Sequence, residues 1–137
     1  MRLYIDAGNT RLKWSLEDES GPVASGVGVL DEENPLPGLA GFAGDITGIA
    51  VSTVASEEKR RRLLEYLAAL ADVPARFYWA EAERGGLRNA YIDFARMGAD
   101  RWHAMYGAWV DHRRGFAIVD AGSAVTVDYV DPAGNHL

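Results

Sequence analysis

One eight-residue pattern occurs twice in the chain. Leu3-Tyr4-Ile5-Asp6-Ala7-Gly8-Asn9-Thr10 and Ala117-Ile118-Val119-Asp120-Ala121-Gly122-Ser123-Ala124 each run from an apolar stretch into Asp-Ala-Gly, then a small polar residue, then a second β-prone stretch. Asp6 and Asp120 lie 114 positions apart, a distance of domain size. A strand–turn–strand that returns at this spacing predicts two similarly built α/β domains presenting matching Asp-Gly turns. The first occupies residues 1–113, and residues 114–137 begin the second.

The pattern between the two turns fits that reading. Beyond Gly8-Asn9, Leu12, Trp14 and Leu16 alternate with Arg11, Lys13 and Ser15, which predicts a hairpin with one buried face. Val23–Val29 reads as a third antiparallel strand, residues 31–44 as a loop, and Ile46–Val54 as another strand. Ser56 sits where an N-cap would, with Glu57 and Glu58 in the first turn. Leu63, Leu67 and Leu70 follow at helical spacing, and Pro74 marks the exit. Residues 75–79 read as a strand and 80–98 as a loop centred on Gly85-Gly86. Trp102, Met105, Tyr106, Trp109 and Val110 form the stripe of an amphipathic helix. Phe116–Val119 reads as a buried strand, and residues 124–130 alternate again.

Composition narrows the function. The formal net charge is -6, which argues against nucleic acid as the partner, since phosphate backbones call for a basic surface. There is no cysteine, so disulfides and thiolate chemistry are excluded. No apolar run approaches the ~20 residues a membrane span needs, and the expected class is a cytoplasmic globular protein. His103, His112 and His136 show no metal-ligand spacing. The run Lys59–Arg62 reads as a solvated helix face.

The paired turns suit a nucleotide. A glycine lets backbone approach a phosphate and is free to take φ > 0, and successive N–H groups in such a turn form an anion-binding concavity. Asn9, Thr10 and Ser123 add neutral donors and Lys13 a positive charge. The aspartates repel phosphate but can hold Mg²⁺ through water. One such turn alone is an ordinary Asx turn; the pair carries the argument.

Paired Asp-Gly turns resemble the phosphate motifs of the actin, sugar kinase and chaperone ATPase superfamily. The finer likeness is to type III pantothenate kinases. Asp6–Lys13 resembles the Asp-x-Gly-Asn-Thr-x-x-Lys/Arg stretch at that family's start. Tyr91–Arg101 resembles its Tyr-x-x-Pro-x-x-Leu-Gly-x-Asp-Arg stretch, and Asp120–Asp128 its Asp-x-Gly-Thr-Ala-x-Thr-x-Asp stretch. Phe94, Met97 and Ser123 stand where the family has proline, leucine and threonine. The three motifs occur in order across the whole chain.

The resemblance implies two ribonuclease-H-like domains, a mixed sheet flanked by helices in each, with ATP between them. It implies that Asp6, Ala7, Gly8, Asn9, Thr10, Arg11, Leu12, Lys13 and Ser123 bind ATP. Asp100 would be the general base, and Tyr91, Gly98, Ala99, Asp100 and Arg101 would form the pantothenate pocket. Asp120 would bind a monovalent cation, K⁺ or NH₄⁺, and Asp6 Mg²⁺. The first turn of a helix, where Asp100 falls, is also where the helix dipole favours negative charge. Arg101 would clamp a carboxylate or the transferring phosphate with its planar fork. Trp79, Trp102 and Trp109 read as core or interface packing; a homodimer is implied as well, and would give Trp102 and Trp109 a further use. The rival readings are a non-catalytic or transcription-accessory relative and another kinase of the superfamily; the Asp100-Arg101 pair and the Tyr91–Arg101 stretch argue against them. Only seventeen residues follow Asp120, so a truncated and inactive second domain is expected, with Val125, Val127 and Tyr129 left exposed.

Overall fold

In the computed structural model, which describes residues 1–122 and 124–137, the alternation after the first turn becomes a hairpin. Strands β1 (Arg2–Ala7) and β2 (Arg11–Asp18) pair antiparallel, with Ile5 opposite Trp14 and Ala7 opposite Leu12. Leu3, Ile5, Ala7, Leu12, Trp14 and Leu16 are all buried. Strand β3 (Gly21–Val29) extends the meander antiparallel to β2. Strand β4 (Gly48–Thr53) returns parallel to β1, helix α1 (Glu57–Leu70) crosses over, and β5 (Ala75–Tyr78) lies parallel to β4. A crossover of this kind is what parallel neighbours require. The sheet order is β3-β2-β1-β4-β5. This mixed α/β arrangement is consistent with the N-terminal domain of an actin-like ATPase, as expected. Ser56 caps α1, its side chain accepting from the Lys59 N–H at 3.4 Å, and Leu63 and Leu67 carry the helix's buried face.

The expected loop at 31–44 ends in a short 3₁₀ turn, Ala40–Asp45. The end of β1 is tied down before the chain reaches Gly8. Thr53 Oγ1 donates to the Ala7 carbonyl at 2.9 Å and accepts from the Ala55 N–H at 2.9 Å.

Two compact units, Met1–Tyr78 and Trp79–Leu137, each have their own core. Residues 79–113 therefore cluster with the second Asp-Ala-Gly segment and not with the five-stranded sheet. The second unit opens on a hairpin inside what reads as loop in the sequence. Two-residue strands β6 (Glu83–Arg84) and β7 (Leu87–Arg88) are joined by Gly85 at φ 56 and Gly86 at φ 90. Helix α2 (Ala99–His112) buries Trp102, Met105 and Trp109 among Leu87, Met97 and Val130. These two tryptophans are core residues of their own unit, one of the two uses, core or interface packing, read for them from the sequence.

Strands β8 (Phe116–Ala121) and β9 (Val125–Val130) form the second antiparallel hairpin of the repeat. The Phe116–Val119 run is not buried as expected. Phe116 and Ile118 pack on the core, while Val119 is 65% exposed. In β9 the faces are likewise divided: Val130 and Asp128 are buried, and Val125, Val127 and Tyr129 are exposed. Among the described residues no helix is long and apolar enough to cross a membrane.

Candidate functional site

The first Asp-Ala-Gly turn belongs to the first unit. Asp6 lies near the end of β1, opposite Lys13 on β2, and both are exposed. The turn closes by a hydrogen bond from the Gly8 N–H to the Arg11 carbonyl at 2.9 Å, leaving Asn9 and Thr10 exposed at its tip. Arg11 is exposed too, whereas Ala7 and Leu12 point into the core and can take part in binding only through their backbone. The glycine does not use the conformational freedom read from sequence. Neither Gly8 nor Gly122 has positive φ. What Gly8 provides is closeness, since a Cβ there would stand 3.1 Å from the Arg11 oxygen. Lys59 also departs from its sequence reading. Its amino group donates to the Asn9 carbonyl and lies 3.9 Å from an Asp31 oxygen, which places it over the turn and not on a solvated face.

The second unit brings together residues of the other two motifs. Gly98 caps α2 without a side chain, Ala99 is buried, and Asp100 sits half-buried in the first turn, accepting the Arg101 N–H at 2.9 Å. The Arg101 side chain reaches the sheet. Its Nε donates to Asp128 Oδ2 at 3.0 Å and its Nη2 to Asp128 Oδ1 at 2.6 Å, a two-pronged ion pair. Its Nη1 donates to the Tyr91 hydroxyl at 3.1 Å, and the guanidinium lies 5.7 Å from the Tyr91 ring centre. Below them lies a residue the motifs did not mark. His136 Nε2 is 3.0 Å from Asp128 Oδ1, and its ring stacks on Tyr91 with centroids 6.2 Å apart.

The electrostatics follow from these bonds. The Arg101 hydrogen bonds hold the Asp128 carboxyl below the usual carboxylate range, against the opposing effect of its burial, and His136 adds to the lowering. Asp128 in turn raises the Arg101 pKa above its already high ordinary value. The pair is charged in the folded protein, as a two-pronged pair with its lone pairs filled should be. Asp120 is exposed on β8 and shares its sheet face with Asp128. Ser123 lies outside the described residues. Tyr91, Asp100, Arg101 and Asp128 thus gather in one unit, and Asp6–Lys13 form the turn of the other.

Comparison with known proteins gives a consistent picture. The family model described as type III pantothenate kinase matches residues 2–137. The chain is 58% identical over 137 residues to the type III pantothenate kinase of Marinobacter nauticus, covering all of this chain and 56% of that protein. It is 34% identical over 140 residues to that of Cellvibrio japonicus, again covering 100% of this chain and 56% of the relative. With that of Methylobacillus flagellatus it shares 37% over 130 residues, covering 94% and 50%. The chain spans a little over half the length of the curated relatives it matches.

Proposed function

We propose, from the premise that the chain belongs to the type III pantothenate kinase family, that it serves the ATP-dependent phosphorylation of pantothenate to 4'-phosphopantothenate, the first step of coenzyme A synthesis. The observation that carries this reading is the meeting of two motifs. Arg101, from the Tyr91–Arg101 stretch, is forked on Asp128, the last residue of the Asp120–Asp128 stretch. Asp100 is thereby presented at the start of α2 beside an arginine of fixed orientation.

In the proposed reaction the pantothenate hydroxyl oxygen attacks the γ-phosphorus of ATP and ADP leaves. The hydroxyl proton passes to the Asp100 carboxylate. Such a transfer needs positioning and charge stabilisation more than covalent help. The Gly8–Thr10 turn, with Lys13 and Lys59 beside it, offers backbone N–H, hydroxyl and ammonium donors suited to the phosphates. An exposed Asp6 next to them fits Mg²⁺, which usually takes one or two carboxylates, waters and substrate phosphates, and would neutralise phosphate charge there. Asp120, equally exposed, fits as one oxygen donor to K⁺ or NH₄⁺. The reading includes two ribonuclease-H-like domains, the second beginning near residue 114, and a cytoplasmic homodimer.

Asp100→Asn keeps the shape and removes the proton acceptor. In a chain of full family length, kcat should fall by roughly 10²–10⁴, with pantothenate affinity changed far less. ADP release coupled to a spectrophotometric readout, with and without pantothenate, checks this. Near-normal turnover in the variant, or ADP release indifferent to pantothenate, refutes the assignment.

A further inference from the structure

Arg101 has five N–H donors, and among the described residues three are committed: Nε and one on Nη2 to Asp128, one on Nη1 to Tyr91. One donor remains on each terminal nitrogen, enough to hold two oxygens of a single anionic group. How well it does so depends on what holds Asp128. The Asp128 side chain is 5% exposed, and apart from Arg101 its Oδ1 faces His136.

The histidine is fixed from both sides. The Ala90 N–H points at Nδ1, 3.2 Å away, and a backbone N–H can only donate. Nδ1 is therefore the acceptor, and the ring proton sits on Nε2, aimed at Asp128. The His136 side chain is 3% exposed. Its backbone is held as well, the His136 N–H donating to the Arg88 carbonyl at 2.9 Å. We propose that His136 is a positioning residue: anchored on the Ala90 N–H, it orients the Asp128 carboxylate, and through it the Arg101 guanidinium, toward an anionic group of the substrates. This rests on the reading of Arg101 as a substrate-binding residue. The anion is either the pantothenate carboxylate or the transferring phosphoryl group.

Two substitutions separate the role from a merely structural one. The amide nitrogen of glutamine falls near the place of Nε2, so His136→Gln keeps a donor for Asp128. The amide oxygen of asparagine falls near the place of Nδ1, so His136→Asn keeps the acceptor for Ala90 and loses the donor. In a chain of full family length, kcat/KM for pantothenate should fall at least tenfold further in His136→Asn than in His136→Gln. A loss in KM for pantothenate assigns the anion to its carboxylate, and a loss in kcat assigns it to the phosphoryl group. Equal losses in both variants, or none in either, overturn the proposal. Nitrogen-15 NMR of the unsubstituted protein tests the geometry without relying on variants that fold: it should show a protonated Nε2 and a bare Nδ1, and the opposite tautomer overturns the proposal as well. Arg101→Ala is the arm for the underlying reading. If it leaves kcat/KM intact while the Asn/Gln difference persists, Arg101 is not the substrate-binding residue, and the path through it falls while the tautomer stands.

Discussion

A carboxylate buried as deeply as Asp128 stays ionised only while its lone pairs are filled. Arg101 fills two positions and His136 a third. The consequence for pH has a definite sign. The folded pKa lies below the ordinary carboxylate value, so the unfolded chain takes up the proton first. The stabilisation is fully present above about pH 4 and is lost as pH falls through the lower folded value. Asp131, bonded by Asn135 side chain and backbone, is lowered in the same direction and acts in the same window. The second unit should therefore weaken below pH 4. Asp128→Asn should be less stable than the parent at pH 7, where it leaves Arg101 short of a counter-charge, and should lose less on acidification. Amide NMR signals of α2 and β9, followed in urea at several pH values, check both statements. An Asn variant as acid-sensitive as the parent would remove Asp128 from the account.

At the scale of elements, the His136 anchor depends on a short hairpin. The chain after β9 turns at Asp131–Gly134 and comes back against β7, with the Arg88 N–H donating to the Gly134 carbonyl at 2.8 Å. Gly134 has φ 91, and a Cβ there would stand 2.2 Å from the Gly86 oxygen. Gly134→Ala would add backbone strain to a clash with main chain, a cost of about 2–4 kcal/mol. Gly41→Ala, where a Cβ meets nothing within 4 Å, should stay within about 0.5 kcal/mol. Urea midpoints for the two variants give the comparison; equal midpoints contradict the packing argument. This hairpin also shows where sequence reading stops. Strands β6 and β7 have two residues each, too few for a period to register, and only Gly85-Gly86 hinted at a turn. Helix α2 was legible because a 14-residue element displays its stripe. Strand β8 misled because Phe-Ala-Ile-Val looks uniformly apolar, although the pleat sends only Phe116 and Ile118 inward. Tyr91, Asp100 and Arg101 stood in a stretch marked by its family resemblance, and the structure brings Tyr91 and Arg101 into contact. His136 was not, since a lone histidine with partners at distances of 8 and 46 residues in sequence leaves no local pattern.

For the molecule as a whole, the two faces of the β8–β9 hairpin have different consequences. One face carries Phe116, Ile118, Asp128 and Val130, and with them the Arg101 network. The other presents Ala117, Val119 and Ala121 paired with Tyr129, Val127 and Val125. On that second face Val119, Val125, Val127 and Tyr129 are all exposed, Val125 by 69%. Six neighbouring apolar positions on a two-stranded ribbon form a contiguous patch and leave strand edges beside it, a combination that favours association. The 137-residue chain should therefore self-associate as its concentration rises, despite a net charge of -6 that opposes it. Thr keeps the β-branched shape that suits a strand while adding a hydroxyl. The double variant Val125→Thr, Val127→Thr should shift sedimentation toward monomer at equal concentration. It should leave the amide signals of α2 unchanged, because neither side chain reaches the buried cluster of Trp102, Met105 and Trp109. Added salt separates the two contributions. Screening the net charge should promote association of the parent chain and have less effect on the variant, whose patch is interrupted. A parent chain that stays monomeric at high concentration and high salt would show that this face is too small to drive association.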